Sequence, residues 1–178
     1  MGEIKRLQTP IGKEEIATLR AGDSVLLSGV VYTARDAAHK RLTEMLAAGA
    51  EMPFAFEGAA VFYAGPSPTR PGQVIGSIGP TTSGRMDAYA PALMAAGLRV
   101  MIGKGGRNAS VTEAMQAHTA VYLAAIGGIA ALMSECVTKV ELVAFEDLGT
   151  EAIRALTVKD LPLVVAGDCV GGSAYAAL

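Results

Sequence analysis

The amino-acid sequence predicts one α/β domain, residues 1–178, with a mixed β-sheet. Short β-like apolar runs alternate along the chain with segments of helical periodicity, which is the pattern of α/β architecture. A length of 178 residues allows one compact core, and the composition is 51% hydrophobic but only 5% aromatic, as suits closely packed small side chains. Several connections are too short for a crossover helix, so some strands should be antiparallel.

The first part of the chain is predicted to contain an arm, a short helix, a strand and a longer helix. Residues 3–12 form the arm or a short strand, and "KEEIATLRAGD" supplies one or two helical turns. The β-rich apolar run "SVLLSGVVYTA" predicts a buried strand. In "RDAAHKRLTEMLAAGA", apolar residues recur on one helical face and Gly49 marks the end. They are Ala38, Leu42, Met45 and Leu46.

Strands and helices continue to alternate through the rest of the chain. "AVFYAGP" predicts a strand, and after the turn-rich "SPTRPGQ" comes "RMDAYAPALMAAG", a helix that Pro91 kinks or restarts. "LRVMIG" is the next strand, followed by the helix "SVTEAMQAH" with Ser110 as N-cap and Glu113 completing a capping box. Further predicted strands are "TAVYLAAIGG", "TKVELVAFED" and "LPLVVAGD", and further helices are "IAALMSEC" and "TEAIRAL".

Charge and composition exclude several classes of function. A formal net charge of −2 offers no basic surplus for nucleic acid. The longest apolar run, 120–133, is shorter than the ~20 residues of a membrane span, and the charged N-terminus has no signal-peptide core, so a cytoplasmic protein is expected. Two cysteines and two histidines are too few for an iron–sulfur or zinc site of the chain's own.

Three segments combine a β-like run, a turn of small or polar residues, and one cation. They are "VVYTARDAAH" with Arg35, "SIGPTTSGRMD" with Arg85, and "RVMIGKGGRN" with Lys104. Ligands of open α/β sheets bind at the carboxyl ends of strands, where helix N-termini also favour anions. An arginine in the first helical turn is itself unfavourable, and a bound carboxylate removes that conflict. The alternative is that the arginines are solvated or paired with Asp36 and Asp87.

Other catalytic motifs fit poorly. "GKGG" lacks the upstream glycine and the following Ser or Thr of a Walker phosphate loop. "TTSGR" is not a nucleophile elbow, because Thr81 stands where the first glycine belongs. A hydrolase triad on Ser83 would have to recruit His39 or His118 without any supporting motif.

The segments "YTARDAAHKRL", "GPTTSGRMD" and "IGKGG", in this order, resemble the β subunit of the class I iron–sulfur-dependent hydro-lyases, the fumarate hydratases and L(+)-tartrate dehydratases. In other members of that family the same sequence is the C-terminal domain of one long chain. The resemblance covers nearly the whole chain. It implies a swivelling β/β/α domain akin to the mobile domain of aconitase-type enzymes. It also implies a partner α subunit that carries a [4Fe–4S] cluster, in a heterodimer or a dimer of heterodimers.

The resemblance further implies a reaction and a set of site residues. The reaction is reversible hydration and dehydration of a small dicarboxylate, with fumarate and malate favoured over tartrate although no residue separates them. Arg35, Arg85 and Lys104 would hold the carboxylates. Thr81 would take the proton from carbon, with Thr82 as the alternative hydroxyl, since an alcohol becomes a useful base only where cations stabilise its anion. Gly79 and Ser83 would line the loop, and His39 would orient Arg35 or reach the substrate.

Two alternatives stay open at this stage. The same cations would suit a phosphorylated ligand. A non-catalytic anion-binding module with the same fold would show the same residues.

Overall fold

The computed structural model describes residues 3–125 and 130–175, and no helix within these ranges is long and apolar enough to cross a membrane. The strands are β1 (Lys5–Gln8), β2 (Ser24–Thr33), β3 (Ala60–Phe62), β4 (Val100–Gly103), β5 (Val121–Ala125), β6 (Val137–Ala144) and β7 (Ile153–Gly167). The helices are α1 (Lys13–Ile16), α2 (Asp36–Ala47), α3 (Ala90–Ala95), α4 (Ala109–His118) and α5 (Ala130–Glu135), with 3₁₀ helices at Ser83–Met86 and Glu146–Glu151. Residues 126–129, which end the predicted strand "TAVYLAAIGG" and begin the predicted helix "IAALMSEC", lie outside the described residues.

The mixed sheet closes on itself like a small barrel. Strands β2, β3, β4 and β5 are parallel neighbours, connected through α2, α3 and α4. The long strand β7 runs antiparallel to both β5 and β2 and so joins the two ends of this row. Strand β1 lies parallel to β2, and β6 lies antiparallel to β7. The predicted α/β class and mixed sheet are confirmed.

Strands β3 and β4 are buried on both faces, which explains their uninterrupted apolar sequences. In β4, Val100 and Ile102 belong to the hydrophobic cluster inside the barrel, with residues of β2, β5 and β7. Met101, between them, belongs to the second cluster, where the strands meet α2, α3 and α4. Because successive side chains of a strand point to opposite faces, one strand contributes residues to both hydrophobic clusters. Helices α2, α3 and α4 pack on this second cluster, whereas Ile16 of α1 and Met133 of α5 belong to the first.

Two local predictions are wrong. Helix α4 begins after Asn108, whose side chain accepts a hydrogen bond from the Val111 amide at 3.1 Å, so Asn108 and not Ser110 is the N-cap. Both residue types cap helices well, and Asn108 has the extended backbone that a cap requires. The segment "TEAIRAL" is not a helix: it ends a 3₁₀ helix and then enters β7 at Ile153.

Candidate functional site

The carboxyl ends of β2, β3 and β4 bring the three cationic segments to one edge of the sheet. Arg35 lies between β2 and α2, and Lys104 follows β4 directly. The loop 79–83 runs between them, because the Thr81 amide donates to the Tyr63 carbonyl (2.7 Å) and the Ser83 amide donates to the Lys104 carbonyl (2.9 Å). The backbones of the three segments therefore meet at this edge of the sheet.

Arg85 lies at this edge in a two-pronged ion pair with Asp36. Its Nε and Nη2 donate to the two carboxylate oxygens at 2.9 and 2.7 Å. Its Nη1 points to the Thr81 hydroxyl oxygen at 3.4 Å. The alternative considered from the sequence, that these arginines pair with Asp36 and Asp87, therefore holds for Arg85, whose partner is Asp36. Arg35 forms no such pair with Asp36 among the described contacts. The Arg85–Asp36 pair joins α2 to the 3₁₀ helix Ser83–Met86, so it connects two of the three predicted segments.

Arg35 carries an incompletely satisfied guanidinium. Its Nε is buried and has no hydrogen-bond partner in the ranges 3–125 and 130–175, and Glu151 Oε1 lies 4.0 Å away. The chain passes so close at Gly65 that a Cβ there would lie 2.8 Å from the Thr150 carbonyl oxygen and 3.5 Å from Arg35 Nη1. An unpaired buried N–H of a cation is costly, and an anionic acceptor relieves that cost.

Lys104, Thr82 and Thr81 form the accessible part of the edge. Lys104 and Thr82 are exposed and pair through a backbone bridge. Among described residues the Lys104 ammonium has no ion-pair partner within 4.0 Å. Thr81 is half-buried, with its hydroxyl oxygen facing Arg85. Gly79 is half-buried too, and a Cβ there would lie 3.2 Å from the Cβ of Ala130.

Ser83 and His39, predicted to contact a ligand, are both fully buried beneath this edge. The Ser83 hydroxyl lies 2.9 Å from the Tyr122 hydroxyl. His39 Nδ1 lies 2.9 Å from the Arg35 carbonyl oxygen, which can only accept, so Nδ1 carries the proton. Burial lowers the pKa of His39 to about 4, so the ring is neutral at pH 7. His39 thus contacts the backbone of Arg35, consistent with an orienting position.

A second ion pair, which the sequence did not single out, lies beneath the loop. Arg107 Nε donates to Asp87 Oδ1 at 2.6 Å, and the Asn108 amide donates to Asp87 Oδ2 at 2.8 Å. The Arg107 guanidinium lies over the rings of Tyr63 and Tyr122, 5.2 and 4.9 Å from their centroids. The signal for this cation was its place in "KGGRN", three residues after Lys104.

Metal-binding residues are not gathered at this edge. Within residues 3–125 and 130–175 there is no group of three or more His, Cys, Asp or Glu side chains that could hold a metal ion. Cys136 and Cys169 are both free thiols. A [4Fe–4S] cluster takes several thiolate ligands, so this donor set does not fit one.

Fold and site together define a class, that of mixed α/β domains whose cationic loops lie at the carboxyl ends of parallel strands. Within that class the chain belongs to the family described as fumarase C-terminus, whose family model matches residues 3–178. The resemblance stated from the three motifs is confirmed.

Named relatives share between a third and two fifths of their residues with this chain. Fumarate hydratase 2 of Leishmania major is 36% identical over 173 residues, 95% of this chain and 30% of the relative. The anaerobic class I fumarate hydratase of Escherichia coli K12 is 39% identical over 84% of this chain and 28% of its own length. The putative L(+)-tartrate dehydratase subunit beta of Methanocaldococcus jannaschii is 38% identical over 92% of this chain and 87% of its own. The chain thus spans less than a third of these fumarate hydratases but most of the tartrate dehydratase subunit.

Proposed function

We propose that this chain is the β subunit of a two-subunit [4Fe–4S] hydro-lyase that adds water to, and removes it from, a small dicarboxylate. Fumarate and malate are the leading substrate pair. The observation that carries the proposal is the convergence of Arg35, the Thr81–Arg85 loop and Lys104 at one sheet edge, in a chain that belongs to the fumarase C-terminus family.

The cations fit a ligand with two acidic ends. Arg35 brings a buried Nε with no described partner, and Lys104 brings an exposed ammonium with no described ion pair. Arg85 is held in a fixed direction by Asp36, so its remaining Nη1 stays beside Thr81. Fixing both ends of a dicarboxylate leaves its central carbons in one defined position, which is what a proton transfer requires.

Thr81 is the proposed proton acceptor. Dehydration removes a proton from one central carbon and a hydroxyl group from the next, and the Thr81 oxygen is the group placed beside a cation. A neighbouring guanidinium favours the deprotonated alcohol. Thr82, which is exposed on the same loop, is the alternative hydroxyl. Gly79 leaves room for the ligand, Ser83 supports the loop from below, and His39 orients Arg35.

Departure of the hydroxyl group needs a Lewis acid, and residues 3–125 and 130–175 gather no set of three or more side chains that could hold a metal ion. We assign the iron–sulfur cluster to a partner α subunit, and a heterodimer or a dimer of heterodimers to the complete enzyme. A relative that this chain matches over 87% of that relative's length is named as a putative L(+)-tartrate dehydratase subunit beta, and a subunit beta implies a partner subunit, which supports this assignment. The family match to residues 3–178 supports one domain over 1–178, and a cytoplasmic location remains a prediction.

L-tartrate dehydration is the second candidate function. The 38% identity to the putative tartrate dehydratase subunit beta supports it, whereas the several relatives named fumarate hydratase favour fumarate. Tartrate has the same two carboxylates, so the same three cations would serve both substrates.

The test is reconstitution. The chain is expressed alone and with its cluster-bearing α subunit under anaerobic conditions, and fumarate, malate and both tartrates are assayed. We expect a stable complex, with activity only when both subunits are present. Activity of the chain alone without iron would refute the subunit proposal, and failure to bind the α subunit would favour a non-catalytic anion-binding module.

A further inference from the structure

A chain of buried hydroxyl groups ties the threonine loop to the lysine loop. The Tyr122 hydroxyl donates to the Gly105 carbonyl at 2.8 Å, so its single hydrogen is committed. The Ser83 hydroxyl, 2.9 Å away, must therefore donate to Tyr122. Burial raises the pKa of Tyr122, so the phenol keeps the hydrogen that this chain requires. Ser83 also packs so closely on Gly103 that a side chain there would collide with its hydroxyl.

Arg107 holds the ring of Tyr122 in place. Its guanidinium lies over the rings of both Tyr63 and Tyr122, and its Nη2 lies 3.4 Å from the Tyr63 hydroxyl. The Asp87 carboxylate accepts hydrogen bonds from Arg107 Nε and from the Asn108 amide. Cation–π contacts of this kind strengthen when they are desolvated. The tyrosine that joins the two loops therefore sits in a rigid polar assembly.

The same assembly lies directly under the proposed site residues. The Tyr63 carbonyl oxygen accepts a hydrogen bond from the Thr81 amide, and the Lys104 carbonyl oxygen accepts one from the Ser83 amide. Ser83 is two residues from both Thr81 and Arg85, so a shift of its side chain moves both. Neither Tyr122 nor Arg107 reaches the edge itself, since both side chains are buried.

We propose that Tyr122 and Arg107 are positioning residues, which hold the loop of Thr81 and Arg85 in register with the loop of Lys104. The inference rests on the proposed function, because the property that they set is the distance between the proton acceptor and the carboxylate-binding cations. Displacing reacting groups by about 1 Å costs about 100-fold in rate.

The test removes single hydroxyl groups in the reconstituted two-subunit enzyme. Tyr122→Phe keeps the ring over Arg107 but deletes the link to Ser83, and Ser83→Ala deletes the same link from the other side. Tyr32→Phe is the matched control, because Tyr32 stacks on Phe54 outside the assembly. We expect kcat to fall about 10- to 100-fold in Tyr122→Phe, with KM raised less than about threefold, and Tyr32→Phe to be unchanged. The double variant should be no worse than the poorer single variant, because both remove one link.

Amide hydrogen exchange in the full chain supplies a readout that needs no activity. We expect the Thr81 and Ser83 amides to exchange about tenfold faster in Tyr122→Phe than in Tyr32→Phe, with the Ile102 amide of β4 unchanged. Unchanged exchange at both amides overturns the inference, and so does faster exchange with unchanged kcat. An inactive wild-type complex refutes the proposed hydro-lyase function instead, and the exchange data still decide whether the link holds the loop.

Discussion

Two arginine–aspartate pairs each have one partner at the 3₁₀ helix Ser83–Met86: Arg85 lies within this helix and Asp87 directly follows it. The contacts of the two pairs are nearly equal in length. Arg85 meets Asp36 at 2.7 Å, and Arg107 meets Asp87 at 2.6 Å. Their exposures differ widely: 50% and 32% for the side chains of the first pair, 3% and 9% for the second. Water can replace either partner of the first pair, whereas the second cannot open without stranding a charge. The contact distance therefore does not tell which pair stabilises the fold and which can serve a ligand, whereas the exposure of the side chains does.

The largest effect is expected from breaking the buried pair. Asp87→Ala leaves the buried Arg107 guanidinium uncompensated and should lower the free energy of unfolding by about 3–5 kcal/mol. Urea denaturation measures this directly. The double variant Arg107→Met with Asp87→Leu should cost less than Asp87→Ala alone, because it leaves no unpaired charge. If the double variant is as unstable as Asp87→Ala, the pair stabilises the fold through its packing and hydrogen bonds and not through charge compensation.

The next largest effect is kinetic and belongs to the exposed pair. Arg85→Ala should reduce kcat/KM of the assembled enzyme by about 100- to 1,000-fold, the usual loss when one charge-stabilising donor is removed. The free energy of unfolding should change by less than about 1 kcal/mol, because the pair with Asp36 is half-exposed. Near-normal turnover would contradict the site assignment, and failed assembly with the α subunit would mean that Arg85 serves the interface.

His39 lies within the field of both pairs, since Arg107 lowers its pKa and Asp36 raises it, although burial is the main cause of the fall from 6.5 to about 4. Between pH 4 and pH 6.5 the His39 imidazole binds a proton in the unfolded chain but not in the folded chain. Stability should therefore be complete above pH 6.5 and fall by about 3 kcal/mol as pH drops to 4. His39→Asn should remove this part of the pH dependence of urea unfolding, and His118→Asn should leave it in place. Equal slopes in wild type and His39→Asn would refute the assignment.

Much of the site's location could be predicted from the sequence. A buried strand before each of Arg35 and Lys104 predicts that both cations lie at the carboxyl edge of a parallel sheet, and they do. The three motifs also predicted the family correctly. What the sequence could not show was the choice among acidic partners. Asp87 is two residues from Arg85 but turns inward to Arg107, and Asp36 reaches Arg85 across 49 positions.

Both wrong local predictions arose because contacts with residues distant in sequence outweighed the local preferences of the segment. "TEAIRAL" contains good helix formers, but from Ile153 its backbone is paired with both β2 and β6. Such tertiary pairing outweighs intrinsic propensity differences, which amount to tenths of a kcal/mol per residue. Ser110 was a sound N-cap by residue type, and Asn108 wins because the Asp87 carboxylate binds its amide and fixes the start of α4.

The smallest expected effect tests whether the exposed pair contributes to stability at all. Asp36→Asn keeps the size of the side chain and should cost less than about 1 kcal/mol of unfolding free energy at 0.1 M salt. The difference should shrink further at 1 M salt, where the screening length falls to about 3 Å. Urea unfolding of both proteins at the two salt concentrations measures it. A cost as large as that of Asp87→Ala would place the two pairs in one class. A small, salt-sensitive cost would mean that Asp36 orients the guanidinium of Arg85 for a carboxylate ligand and contributes little to the stability of the fold.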